Sequence, residues 1–236
     1  MLKSDRLIAR LVATGGLFAL ALATASSAQA SIVQNGSFES QTGPFVNNVA
    51  NYMQLGAGST EIAGWTITSS SGNIVLAQTP TGDGQSAADG TYFIDLSGLG
   101  SESPDGAVSQ TISTVAGATY GFAMDLGTGN TGTIFASVGG NLLSLSSGAS
   151  FTVGGTSWTQ WTGSFTGDAL NHAPLLTIGN GTRGSQIDFV DNISVVQTRG
   201  GTGGVPEPEA WSLMILGFGG IGATLRRRRM KVLALA

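Results

Sequence analysis

Carboxylates are the only plentiful reactive side chains in the middle of this 236-residue chain. Residues 31–198 hold eleven acidic side chains and one basic one, Arg183, so this stretch sits near −10 although the full chain is only −4. Hard oxygen ligands at that density suit a cation such as Ca2+. Two carboxylates about 5–10 Å apart would suit glycoside cleavage, giving a glycosidase or lyase. The same acids would serve equally as a solubilising surface, and no spacing singles out a catalytic pair. Phosphate binding needs Lys and Arg, so nucleic acid is excluded as a partner.

Other chemistries are poorly supplied. Cysteine is absent, which removes a thiol nucleophile, a zinc–thiolate site and a lipidated cysteine. His172 is the sole histidine and lies in a turn-like Asn171-His172-Ala173-Pro174 with no G-x-S-x-G serine to serve. Gly217-x-Gly219-x-x-Gly222 matches a dinucleotide-binding pattern, but a proline-rich hinge precedes it where a strand is required. The chain is therefore read as a non-enzyme. Trp158 and Trp161 are three residues apart, which puts them on opposite faces of a regular strand. One of them would then be free to stack on a sugar, with partial burial at a sheet edge as the alternative. Trp65, leading a strand after Gly64, is expected to fill the core.

The elements that would position these groups are short alternating segments punctuated by Gly, Asn, Asp and Ser. TYGFAMDL sets Tyr120, Phe122, Met124 and Leu126 on one face, and AVSQTIS sets Val108 and Ile112 beside Gln110. WTIT, NIVLA, TYFIDL, TIFASV, NLLSLS, QWTGSFT, LLTIG, IDFV and NISVV complete about eleven strands, with no helical period between them. This pattern predicts an all-β, two-sheet sandwich or jelly roll. Asn35-Gly36 and Gly117-Ala118 are expected turns.

The ends read differently. Residues 1–30 carry Lys3, Arg6 and Arg10, then an apolar stretch and an A-x-A site at Ala28 and Ala30, which is the order of a cleaved signal peptide. Residues 199–205 form a Gly-rich linker. Residues 210–225 are apolar and span about 24 Å as a helix, slightly short for a bilayer. Arg226, Arg227, Arg228 and Arg229 follow, and a positive-inside orientation leaves residues 31–205 outside. A membrane helix over 210–225 is expected, with 230–236 as a cytoplasmic tail.

Pro206, Glu207 and Pro208, then Trp211, the Gly-rich apolar run and the four arginines resemble a PEP-CTERM sorting signal over 206–229. The resemblance implies processing by a membrane transpeptidase of the exosortase type, on the way to the bacterial surface, extracellular matrix or biofilm. The tail after Arg229 departs from that pattern. A second series resembles the choice-of-anchor type C family and galactose-binding-like carbohydrate-binding domains. It comprises Asn35-Gly36-Ser37-Phe38-Glu39, Gly64-Trp65, Asp89-Gly90-Thr91 with Ile94-Asp95-Leu96, Gln110-Thr111-Ile112, Trp158 with Phe165, and 187–195. This second resemblance implies a jelly roll over 31–198 with its first and last strands side by side. It also implies a non-catalytic polysaccharide-binding role, with Trp158, Trp161 and Tyr92 as stacking candidates. A structural Ca2+ where the two chain ends meet, at Glu39 and Asp191, is a further implication. A matrix protein without any ligand remains the other reading.

Overall fold

The computed structural model describes residues 29–68, 73–99, 106–127, 134–181 and 188–200. Ala28, Arg183, Pro206, Glu207, Pro208, Arg226–Arg229 and the expected membrane helix at 210–225 lie outside the described residues; Ala30 is exposed. Among the described residues there are twelve strands and no helix. They are β1 (Tyr52–Leu55), β2 (Thr66–Ile67), β3 (Ile74–Gln78), β4 (Tyr92–Asp95), β5 (Ala107–Thr111) and β6 (Thr119–Gly127). After these come β7 (Ile134–Val138), β8 (Asn141–Leu142), β9 (Ser146–Val153), β10 (Thr156–Thr166), β11 (Leu175–Asn180) and β12 (Phe189–Arg199).

Seven strands form one sheet in the order β1-β3-β4-β12-β6-β10-β9, and five form a second in the order β2-β5-β11-β7-β8. Every strand pair is antiparallel. The expected all-β sandwich is thus observed. Its main core takes alternate residues from both sheets, as the period-2 pattern demands. Leu76, Ile94, Phe122 and Met124 come from the wider sheet, and Val108, Ala136, Leu176 and Ile178 from the narrower.

Two phrases near the start of the domain owe their composition to buried hydrogen bonds. Gln110, only 6% exposed, accepts the Gln34 amide through Oε1 and donates Nε2 to the carbonyls of Gln34 and Gly64. Asn35 adopts φ 51°, a left-handed value that Asn tolerates. Its side chain bridges Ser40 and Ala63, while its carbonyl receives the indole N–H of buried Trp65 at 2.9 Å. Trp65 is core, as expected.

The chain ends meet along β12. Ile32 N donates to Val195 O, and Ile193 N donates to Gly36 O. A Cβ on Gly36 would lie 1.9 Å from the Ile193 carbonyl oxygen, so only glycine fits that approach. β12 changes register between Asp191 and Ser194, with Asn192 at φ 50°. The shift keeps Phe189 and Asp191 on the outer face and returns Ile193 and Val195 to the inner core. Where β12 ends, Arg199 pairs with Thr119, which also pairs with Thr166 of β10.

Two strands depart from the sequence expectation. β1 is a four-residue strand whose Met53 and Leu55 alternate into the core, the long β9 lacks an alternating apolar signal, and IDFV and NISVV join into the single bulged β12.

Candidate functional site

Two regions of the domain concentrate polar chemistry. The first lies on the outer face of the seven-stranded sheet, beneath residues 79–91. Phe93 of β4, Phe189 of β12 and Trp158 of β10 point outward there and form a second, smaller core with Ala77 and Ala87. Phe93 meets Phe189 edge-on at 4.9 Å and Trp158 edge-on at 5.8 Å, the geometry that aromatic quadrupoles favour. Gly127 leaves room for the Phe189 ring, since a Cβ there would sit 2.6 Å from Phe189 Cβ. Trp158 donates its indole N–H to Ser86 O at 3.1 Å, and the Ser86 amide donates to Thr156 Oγ1 at 2.8 Å.

Carboxylates hold the covering segment down. Asp191 Oδ2 accepts the amides of Ala88 (2.8 Å) and Asp89 (3.0 Å), and its Oδ1 accepts the Asn192 amide. Glu39 Oε1 accepts the amides of Thr91 (2.7 Å) and Tyr92 (2.8 Å). The structure brings Glu39 and Asp191 to neighbouring positions of one loop. Five backbone N–H groups are their partners. Among the described residues no three acids or histidines converge as a cation site. Glu39 is exposed, and among the described residues its Oε2 has no hydrogen-bond partner.

Trp158 and Trp161 do occupy opposite faces, because the β6–β10 register is regular through both. Trp158 is not a sugar platform. Trp158 faces outward but is 0% exposed, because residues 79–91 lie over it, and a fully covered ring has no face to offer. Trp161 is half-buried against the main core. Tyr92 is also half-buried against that core, 5.6 Å from the Phe45 ring, with its hydroxyl accepting Gln78 Nε2. The three candidates are not brought together.

The second region is a cleft of about 380 Å³ at the open side of the sandwich. The β8 turn supplies Asn141 and Ser144, the end of β10 supplies Ser164 and Phe165, and the following loop supplies Asp168 and Asn171. Phe165 is held flat by stacking on Tyr120 at 5.1 Å and 14°. Asp168 Oδ1 accepts the Leu170 amide and Asn171 Oδ1 the Ala173 amide, which orients both side chains, and among the described residues Asp168 Oδ2 and Asn171 Nδ2 have no hydrogen-bond partner. Hydroxyls, amides, one carboxylate and the Phe165 ring line this cleft, with no basic side chain among them. His172 is exposed on the same loop, and its carbonyl accepts the Thr114 amide. Sequence reading missed this cleft. Its one signal is that residues 126–167 contain no Asp, Glu, Lys or Arg at all.

Four acids on or beside the outer face are buried: Asp95 (7% exposed), Asp125 (2%), Asp188 (2%) and Asp191 (0%). Burial disfavours their charge and raises all four. Asp95 is pushed up to about 6 despite hydrogen bonds from Ser97, and Asp191 to about 8 despite its three amides. Among the described residues Asp125 Oδ1 and Asp188 Oδ1 have no hydrogen-bond partner, which a neutral acid tolerates better than a carboxylate.

The family described as "Protein of unknown function (DUF642)" matches residues 31–175, and the PEP-CTERM protein-sorting motif matches residues 204–229. No curated protein matches the chain. Among solved structures, similarity extends to TmCBM61 in complex with β-1,4-galactotriose, at 14% identity and a TM-score of 0.38, over 71% of this chain and 98% of that one. The CBM22-1 xylan-binding domain of Paenibacillus barcinonensis Xyn10C matches at 10% identity and 0.37, over 67% and 99%. TmCBM27, described in terms of mannan recognition, matches at 13% and 0.29, over 63% and 90%.

A folded pKa raised above the unfolded one stabilises the domain fully at low pH and is lost as pH rises through the folded value. The melting midpoint is expected to fall between pH 4 and pH 8. Asp95→Asn keeps the Oδ1 acceptor but has no proton to lose, so it should flatten the fall between pH 4 and 6, about 3 kcal/mol, and leave the fall from 6 to 8. Equal slopes for Asp95→Asn and the parent in a pH series of thermal melts would overturn this.

Proposed function

The chain belongs to the DUF642 family and carries a PEP-CTERM sorting motif, and from that premise we propose an exported surface protein whose sandwich binds neutral polysaccharide without cleaving it. The sorting motif implies export and membrane-associated sorting to the cell surface. The observation that carries the binding reading is the cleft beside Phe165, lined by fixed amides and hydroxyls and lacking any basic group. At about 380 Å³ it falls within the ~300–1,000 Å³ typical of ligand sites. A domain near −10 repels acidic polymers, which favours uncharged sugar chains. The non-catalytic part rests on access: the acids with raised pKa are all 7% exposed or less, beyond the reach of a polysaccharide. We read the sandwich as a galactose-binding-like jelly roll, with the N-terminal segment beside β12.

Loss of one hydrogen bond to a sugar hydroxyl weakens binding by about 3–10-fold. Asn141→Ala and Ser144→Ala are each expected to do so in titrations with neutral glucans, galactans, xylans and mannans, without moving the melting midpoint. Unchanged affinity in both variants would remove the cleft, and release of reducing ends would make the protein a glycosidase or lyase.

Calcium at Glu39 and Asp191 extends the proposal. Such an ion would enter from the exposed Glu39 Oε2 and add to the amide contacts. Melting with calcium and then with chelator should show a higher midpoint with calcium, about 2.7 kcal/mol at 100-fold excess over the dissociation constant. An unchanged midpoint would leave the amides as the only partners.

Exosortase-type processing at Pro206-Glu207-Pro208 completes the reading. Mass spectrometry of the mature surface form is expected to find the chain ending near Pro208. An intact Arg226–Arg229 block would leave a permanent anchor instead.

A further inference from the structure

Strand β9, Ser146–Val153, is the outer edge of the seven-stranded sheet and hydrogen-bonds to β10 alone. Among the described residues no other backbone group bonds to it. Seven of its eight residues are exposed, and only Val153 is half-buried. Such an edge is a template for another strand, and folded proteins blunt it with Lys, Pro, inward charges or extreme shortness. β9 has none of these. It reads SSGASFTV, and the whole of 126–167 is free of charged side chains in a domain that is otherwise strongly acidic. Its one protective device is the register shift opposite Gln160, which leaves 150–153 as a regular stretch. Phe151, 38% exposed, lies in that stretch.

We propose that β9 is a self-association edge, where a second copy of this chain adds its own β9 antiparallel and joins the two wide sheets into one. Charge decides the occupant. Two copies near −10 repel over most of their surfaces, and the uncharged β9–β10 edge lets them approach at the least electrostatic cost. A basic partner would be drawn to the acids elsewhere. Two-fold antiparallel pairing presents the same patch from both copies and so closes on itself. It pairs the open N–H and C=O groups and covers the Phe151 ring. Because the contact is uncharged and the remaining force is repulsion, added salt strengthens it by screening.

The absence of cysteine makes the test direct in the full chain, purified in neutral detergent. Ser150→Cys is expected to form a disulfide-linked dimer under mild oxidation, more completely at 0.5 M salt (roughly a 4 Å Debye length) than at 0.01 M. Leu170→Cys, on a residue 94% exposed and away from the edge, reports random collision and should give little dimer. Adding Thr152→Glu to Ser150→Cys places like charges across the two-fold contact and is expected to cut the dimer several-fold with the melting midpoint unchanged. Equal cross-linking at positions 150 and 170, or a dimer that survives Thr152→Glu, would overturn the proposal and place association elsewhere.

Discussion

The seven-stranded sheet must be covered on both faces, and only one of its covers is another sheet. The inner face meets the five-stranded sheet in the ordinary way of a sandwich. The outer face presents Phe93, Phe189 and Trp158, and among the described residues the irregular segment 79–91 lies over them. Irregular backbone laid over apolar rings cannot leave its amides unpaired, because each buried unpaired group costs about 1–3 kcal/mol. Asp191 and Glu39 answer that requirement from below and from the side. Thr156 does the same for Ser86. The polar residues of this region are therefore consequences of the aromatic ones.

The arrangement has a cost that the sheet geometry makes unavoidable. Side chains on one face recur every second residue, so a strand that sends Phe189 outward sends Asp191 outward too, and their neighbours across the sheet are Asp95 and Asp125. Covering the rings covers the acids. Burial raises the pKa of these acids, and the domain's stability thereby becomes linked to pH.

How much of this was legible in the sequence depended on whether a residue's role was local. The β6 alternation of Tyr120, Phe122, Met124 and Leu126, the left-handed turns at Asn35 and Gly117 and the core position of Trp65 follow from spacing and side-chain type alone, and all hold. The opposite facing of Trp158 and Trp161 also holds. The exposure of Trp158 does not, because it depends on a segment some seventy residues earlier folding over it. β9 escaped notice because a strand with both faces in water has no apolar period to display. The cleft around Phe165 is assembled from three separate stretches, and its informative feature is an absence of charge that no motif describes.

The register that ends β12 also orients the domain. Arg199, Thr119 and Thr166 lie side by side at one end of the wide sheet, and the cleft begins at Thr166. Only residues 200–205 separate that end from Pro206, a tether that reaches about 20 Å at full extension. The cleft therefore lies at the end of the wide sheet from which the chain runs on toward the sorting motif, and the loop over Trp158 lies at the other end.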